Sequence, residues 1–299
     1  MSEHPRILIA GGAGQLGIEL QRSFAGSSPM AAVDRDVMNL ADPGQIRETV
    51  RRVKPDIILN AAAYTAVDRA ESEPEIAAAV NTRAPRILAE EALQTGALLV
   101  HYSTDYVFDG TKQEPWTEAD APNPINAYGA GKLGGEEAIQ NVGGRYLIFR
   151  TSWVYGPQGK NFLLTMLRLG RERDRINVVD DQFGGPTTSI ELARATRMIV
   201  DGVLGGRFGA ARDWAGLYHM TCSGSTTWCG FTREIFVRAG HLLHGRNPEV
   251  VAIPSTEYPT PAKRPRNSVL SNAKLHERFG VRLASWESAL DEAISAIRA

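Results

Sequence analysis

The segment Gly11-Gly12-Ala13-Gly14-Gln15-Leu16-Gly17 constrains this chain more than any other. Gly11, Gly14 and Gly17 satisfy GxxGxxG, and Gly12, Gly14 and Gly17 satisfy GxGxxG. The apolar run 6–10 before it reads as a strand buried on both faces of a parallel sheet. After it, Leu16, Leu20 and Phe24 recur at helical spacing. A glycine turn between a strand and a helix lets the backbone approach a pyrophosphate, while the helix offers that anion its free N–H groups and positive dipole end. Asp34 ends the next apolar run, 23 residues after Gly11. A carboxylate there reaches the adenosine ribose hydroxyls of a dinucleotide. It favours NADH and repels a 2′-phosphate; Arg35 beside it offsets that repulsion, so NADPH stays open.

The alternation continues downstream. Strands are expected at 30–33, 56–60, 97–103 and 146–152, and helices at 43–53, 75–95 and 126–140. Pro85 lacks a backbone donor and is expected to kink or split the long helix near Ala84. This rhythm predicts an α/β fold, a Rossmann-type doubly wound parallel sheet with a smaller C-terminal substrate-binding domain. After residue 154 the rhythm changes. Helices are expected at 161–173 and 188–201, a strand at 176–179 and a mobile glycine-rich loop at 205–216. A stretch with four prolines, 254–265, cannot stay regular for long. Helices at 271–279 and 285–297 close the chain. Residues 1–155 form the expected dinucleotide-binding domain, which also receives the 188–203 helix. Residues 156–299 are mainly substrate-binding, so the boundary is discontinuous.

Within the first part stands Tyr128-Gly129-Ala130-Gly131-Lys132, preceded by Ser103-Thr104-Asp105 at a strand end. Tyrosine and lysine four apart share a helix face. The ammonium is expected to favour the phenolate and tune Tyr128 for proton transfer near neutral pH. A hydroxyl from Ser103 or Thr104 would hold a substrate ketone beside it. A YxxxK pair alone is common in helices. In this order with the glycine turn, it points to carbonyl/alcohol redox chemistry.

Composition narrows the partners. With 43% hydrophobic and 22% charged residues the chain has an ordinary globular make-up. Its net charge of −1 gives no field for nucleic acid or an anionic membrane. Two cysteines, Cys222 and Cys229, are too few for a disulfide framework and are expected to be structural. No run is long enough for a membrane span, and a cytoplasmic location is expected.

The combination resembles the extended short-chain dehydrogenase/reductases, and its finer wording resembles the dTDP-4-dehydrorhamnose reductase family among them. The likeness is carried by residues 60–68, 71–74, 101–110, 149–155, 181–187, 216–219 and 258–265, spread over nearly the whole chain. Such enzymes use NAD(P)H to reduce the C4 ketone of dTDP-4-dehydro-β-L-rhamnose to dTDP-L-rhamnose, the last step of that pathway. The resemblance implies a catalytic set of Thr104, Tyr128 and Lys132. It places dinucleotide contacts on Gly14, Gln15, Leu16, Asp34, Asn39, Leu40, Ala63, Tyr64, Thr65 and Tyr102, beside the glycines of the turn and the Tyr128/Lys132 pair. It places Thr104, Asp105 and Trp153 on the sugar. Two positions depart from the family: Asn39 stands where Asp is common near the adenine, and Tyr64 replaces a commoner His.

A dTDP-sugar carries a pyrophosphate, so a near-neutral protein needs local cations. Lys263, Arg264 and Arg266 flank Pro265, and arginine's fork suits phosphate oxygens. Asn161 and Gln182-Phe183 are weaker candidates on that side. Some family members hold Mg²⁺ at a dimer interface through glutamates. Glu19 and Glu191 match two such positions, a sparse set for an ion that prefers octahedral oxygen ligands; the resemblance leaves a homodimer open. Two other functions share these motifs: another nucleotide-sugar reductase or epimerase, and a non-catalytic dinucleotide-binding subunit similar to that of methionine adenosyltransferase.

Overall fold

The computed structural model describes residues 5–26 and 28–297. Six strands, β1 Ile7–Ala10, β2 Met30–Val33, β3 Ile57–Asn60, β4 Leu98–Thr104, β5 Tyr146–Thr151 and β6 Gly216–His219, form one parallel sheet in the order β2-β1-β3-β4-β5-β6. Helices α1 Gln15–Phe24, α2 Pro43–Val53, α3 Ala84–Thr95, α4 Ala127–Val142 and α5 Ser189–Leu204 cover it.

Strand periodicity sorts the side chains into two layers. Leu8, Ala10, Ile58, Leu99 and Ile148 pack with Ile46 and Val50 of α2, Leu88 of α3 and Ile139 of α4. Ile7, Ile9, Ile57, Leu59, Val100 and Phe149 pack on the opposite face with Leu20 and Phe24 of α1 and Leu192 and Ile199 of α5. Burying each such side chain contributes about 1.5–3 kcal/mol. This second core runs on without a break into the C-terminal part, through Phe231, Trp286 and Leu290.

Chain order reverses at β1, whose neighbours are β2 and β3. Ligands of such sheets gather in the crevice at the carboxyl ends of the strands, at this switch point. The glycine turn lies there. At Gly17 an added Cβ would lie 2.0 Å from the Gly11 carbonyl oxygen, so only glycine lets α1 start this close to β1.

Before α3 the chain is helical from Pro74 to Ala78, then π-helical from Ala79 to Arg83. The break expected near Ala84 is thus a change of helical register just before Pro85, whose missing donor an uninterrupted α-helix would not accommodate.

Several elements had no expectation, among them two strands and a helix that build the C-terminal part. β6 follows a glycine-rich stretch with no strand signal of its own. The strand Glu249–Ile253 pairs in parallel with Arg175–Val179, and the helix Trp228–Arg238 lies between them in sequence. The 205–216 segment is also more ordered than a mobile loop. It contains the helical turn Ala211–Trp214, the Trp214 side chain is 2% exposed, and the Trp214 carbonyl accepts the Tyr218 hydroxyl at 2.8 Å.

Candidate active site

Helix α4 starts at the carboxyl edge of the sheet, where the Asn126 carboxamide accepts the Gly129 N–H at 2.7 Å. This cap fixes the first turn and with it Tyr128. Tyr128 is half-buried beside Thr104, the last residue of β4. The Thr104 hydroxyl donates to Asp105 Oδ1 at 3.0 Å, and Ser152 donates to Asp105 Oδ2 at 2.8 Å. Strand alternation settles which hydroxyl meets the tyrosine. Ser103 points to the other face and donates to Glu136, which leaves Thr104.

Electrostatics here differ from the sequence expectation. Burial pushes the Tyr128 phenol up to about 12; the Thr104 hydroxyl opposes this and the Asp105 charge adds to it. Tyr128 is therefore a neutral donor in this structure, and not a phenol tuned toward pH 7 by Lys132. Lys132, 1% exposed, donates to the Tyr102 carbonyl at 2.6 Å and lies 3.1 Å from His101 Nε2. Burial brings its ammonium down to about 8, and the Glu136 carboxylate resists that fall. Asp105, 2% exposed, is raised by burial to about 6 although Ser152 and Thr104 donate to it and Ser268 stands nearby.

The glycine turn fits a dinucleotide. Gly14 is the N-cap of α1 and supplies no side-chain cap, so the helix N-terminus is left to a ligand. Gln15 Oε1 is buried without a partner. Asp34 turns back to the turn, both carboxylate oxygens accepting the Ala13 N–H at 3.0–3.1 Å. Arg35 is exposed beside it. Asn39 accepts the Ala41 N–H at 3.1 Å, so its side chain serves the α2 approach, and Leu40 is buried. Ala63, Tyr64 and Thr65 follow β3 at the same sheet edge. Asn81, in the π-helical segment, clamps Tyr64 from both sides, accepting its N–H at 2.9 Å and donating to its carbonyl at 3.0 Å. The Tyr102 hydroxyl bonds Thr196 at 2.7 Å, which leaves its carbonyl as the group facing Lys132.

On the substrate side, Trp153 follows β5 in a left-handed conformation, φ 47°, and stacks on Trp228. An added Cβ at Gly184 would lie 2.3 Å from the Trp153 indole, so a side chain there would displace it. The expected cation cluster is divided. Arg264 donates to Asp68 at 2.9 Å and lies beside Tyr106, whose ring meets Tyr128 edge-on at 5.9 Å. Lys263 and Arg266 are exposed. Gln182 and Asn161 lie apart in role: the Asn161 side chain caps the helix Phe162–Glu172.

The two glutamates of the metal expectation are engaged within the chain. Glu19 accepts from Arg22 and Gln158, each at 2.7 Å, and Glu191 accepts from Arg194 and from the Ala284 N–H. Both carboxylates are met by in-chain donors, and no group of three His, Cys, Asp or Glu among the described residues is placed to hold a metal ion. Both cysteines are buried and free. No helix among the described residues is long and apolar enough to cross a membrane.

The family model described as the RmlD substrate binding domain matches residues 5–299. The dTDP-4-dehydrorhamnose reductase of Burkholderia thailandensis is 46% identical over 95% of this chain and 96% of its own length. That of Escherichia coli K12 is 44% identical over 94% of each. The chain belongs to the dTDP-4-dehydrorhamnose reductase family. Among solved members, the Bacillus anthracis enzyme in complex with NADP is similar at TM-score 0.88 and 34% identity, covering 98% of this chain and 99% of that one. The Clostridium acetobutylicum protein reaches TM-score 0.89 at 37% identity, covering 97% and 98%. A UDP-glucose 4-epimerase of Thermus thermophilus, 21% identical at TM-score 0.75, shares the fold.

Family membership and geometry together expose what residue patterns missed. Asn81, Tyr106, Glu136 and Trp228 touch the candidate site residues, yet none carries a sequence signal beyond its type. Only Tyr106 sits inside a stretch that resembles the family.

Proposed function

We propose that this chain is a cytosolic enzyme that uses NAD(P)H to reduce the C4 ketone of dTDP-4-dehydro-β-L-rhamnose to dTDP-L-rhamnose. The observation that carries this reading is Tyr128 beside Thr104, whose hydroxyl is held by Asp105, with Lys132 one turn further along the same helix at the carboxyl edge of the sheet. Membership of a family whose curated relatives bear that activity in their names supports the choice of ketone. Residues 1–155 with the 188–203 helix would carry the dinucleotide, and 156–299 mainly the sugar nucleotide.

A bound reduced nicotinamide supplies the hydride for C4. Tyr128, protonated at neutral pH, gives its proton to the C4 oxygen as that charge develops. Thr104 donates to the same oxygen, its hydroxyl turning from Asp105, which holds it in place before the substrate binds. Lys132, one turn along the same helix face, stabilises the phenolate that remains through its charge and would give its free hydrogen to the cofactor ribose. Gly14, Gln15 and Leu16 at the head of α1 would meet the pyrophosphate. Asp34 and Arg35 together would admit either dinucleotide. Trp153 would pack on the apolar face of the deoxysugar, with Arg264 and Arg266 toward the phosphates.

The test is loss of reduced-nicotinamide absorbance on adding the dTDP-4-ketosugar, with NADH and NADPH in separate runs and UDP-glucose as a comparison substrate. Consumption that depends on the dTDP-ketosugar is expected. Cofactor binding without consumption would overturn the reading and favour a non-catalytic role.

A further inference from the structure

Two buried side chains of the central sheet with no part in the reaction above converge on Lys132. Asn60 and His101 are register partners on β3 and β4, and each is 1% exposed. The Asn60 carboxamide lies 3.0 Å from His101 Nδ1, and Nε2 of the same ring lies 3.1 Å from Lys132 Nζ. Around them this sheet face carries Ile58, Leu99 and Ile148, and toward its carboxyl edge the buried Ser103 and Arg150, both bonded to Glu136. An amide and an imidazole at such a place lose solvation unless each polar atom is partnered.

Counting hydrogens fixes the state of the ring. An ammonium donates and cannot accept, so Nε2 accepts from Lys132. Burial and the neighbouring ammonium push His101 well below the usual histidine range, which leaves one proton on the ring. That proton then sits on Nδ1 and needs an acceptor. Asn60 Oδ1 is buried with no partner, and a half-turn of the carboxamide, whose two ends are interchangeable in placement, brings it onto Nδ1–H. Lys132 spends a second hydrogen on the Tyr102 carbonyl at 2.6 Å.

We infer that His101 is a positioning residue for Lys132: held by Asn60 as the neutral Nδ1–H tautomer, it takes one ammonium hydrogen and, with the Tyr102 carbonyl, leaves a single Lys132 hydrogen to meet the ligand. The consequence for turnover rests on the proposed C4-ketone reduction; the tautomer does not. Free in a pocket, a lysine side chain samples many rotamers. Tied at two hydrogens, its ammonium reaches the ligand already aimed.

Nitrogen NMR of the full chain with isotope-labelled histidine reads the tautomer directly. The chain has six histidines, and His101→Gln identifies the signal. The expected result is a neutral ring protonated on Nδ1 and unchanged over about pH 5 to 7, where an ordinary histidine titrates and Lys132 keeps its ammonium. In the reductase assay His101→Leu is expected to lower kcat at least about tenfold with the sugar-nucleotide KM little changed. His101→Gln, which keeps an acceptor oxygen, is expected to recover most of that loss. An Nε2–H tautomer, titration within that window, or equal turnover in the Leu and Gln variants overturns the inference. If the wild-type chain consumes no cofactor with the dTDP-ketosugar, the reductase reading fails, and the NMR measurement alone decides the role of His101.

Discussion

The indoles of Trp153 and Trp228 stack with centroids 3.5 Å apart and planes 6° from parallel. Trp153 sits at φ 47°, a conformation that costs a non-glycine residue about 1–2 kcal/mol. Trp228, whose ring also meets Phe162 at 4.5 Å, supplies the surface that offsets this cost. Trp153 follows Ser152, the donor to Asp105, so the stack also steadies the chain leading to Thr104. Trp228→Leu is expected to destabilise the fold by about 1–3 kcal/mol. It should also remove the coupled-indole signature from circular dichroism and raise the KM for the sugar nucleotide more than that for the dinucleotide. Unchanged spectra and KM would separate Trp228 from the site.

Beneath the active site, Arg150 holds Glu136 in a two-point ion pair, Nη2 to Oε2 at 2.6 Å and Nε to Oε1 at 3.0 Å, with both side chains nearly fully buried. Removing one partner strands a buried charge. Glu136→Gln is expected to cost about 3–5 kcal/mol in chemical denaturation. Glu136→Gln with Arg150→Met is expected to cost less than the two single changes added together. Because Glu136 supports the Lys132 ammonium, the single variant should also move the basic limb of the rate profile below about 8. A basic limb left in place would show that Glu136 acts on the fold alone.

Asp105 makes a stability prediction with a definite sign. Its carboxyl is raised from 3.8 to about 6 in the folded chain, so the folded state holds the proton more tightly than the unfolded state. Stability from this group is full below 3.8, declines as pH rises to about 6, and is level above that. The loss is on the order of 3 kcal/mol. Asp105→Asn does not titrate, so the difference between variant and wild type in denaturant midpoint should grow in favour of Asn over that interval and then plateau. A difference independent of pH would mean that Asp105 is not strained by burial.

Tyr128→Phe removes the proposed proton donor while keeping the ring that meets Tyr106 edge-on. Turnover is expected to fall by about 10²-fold or more. Dinucleotide affinity, measured by titration, should stay near that of the wild type. A Phe variant with full turnover would remove Tyr128 from the chemistry.

Much of this was legible in the residues because it is local. The strand–glycine–helix unit, the apolar strands and the helix that carries Tyr128 declare themselves within a few positions. β6 did not, since a four-residue strand acquires its identity from hydrogen bonds to β5 across the chain. The choice between Ser103 and Thr104 also needed the fold: Ser103 lies under α4 and is spent on Glu136, while Thr104 ends β4 at the edge where α4 starts. Lys132 was found by spacing, but its partners were not. Its bonds to the Tyr102 carbonyl and His101, and the burial that governs Tyr128, arise only when β4 and α4 pack together. The arginine partners of Glu19 and Glu191 also went unread, since they follow from helix spacing that position-by-position likeness does not report.

The central claim is that hydride passes to C4 of the sugar while Tyr128 supplies the proton. It is tested most directly by running the reaction with NAD(P)H deuterated at the nicotinamide C4 and locating the label in the product by NMR. The expected result is deuterium at C4 of dTDP-L-rhamnose, one equivalent for each dinucleotide oxidised, with the hydroxyl hydrogen drawn from solvent. Label at any other carbon, or a sugar that emerges unlabelled while the dinucleotide stays reduced, would contradict it.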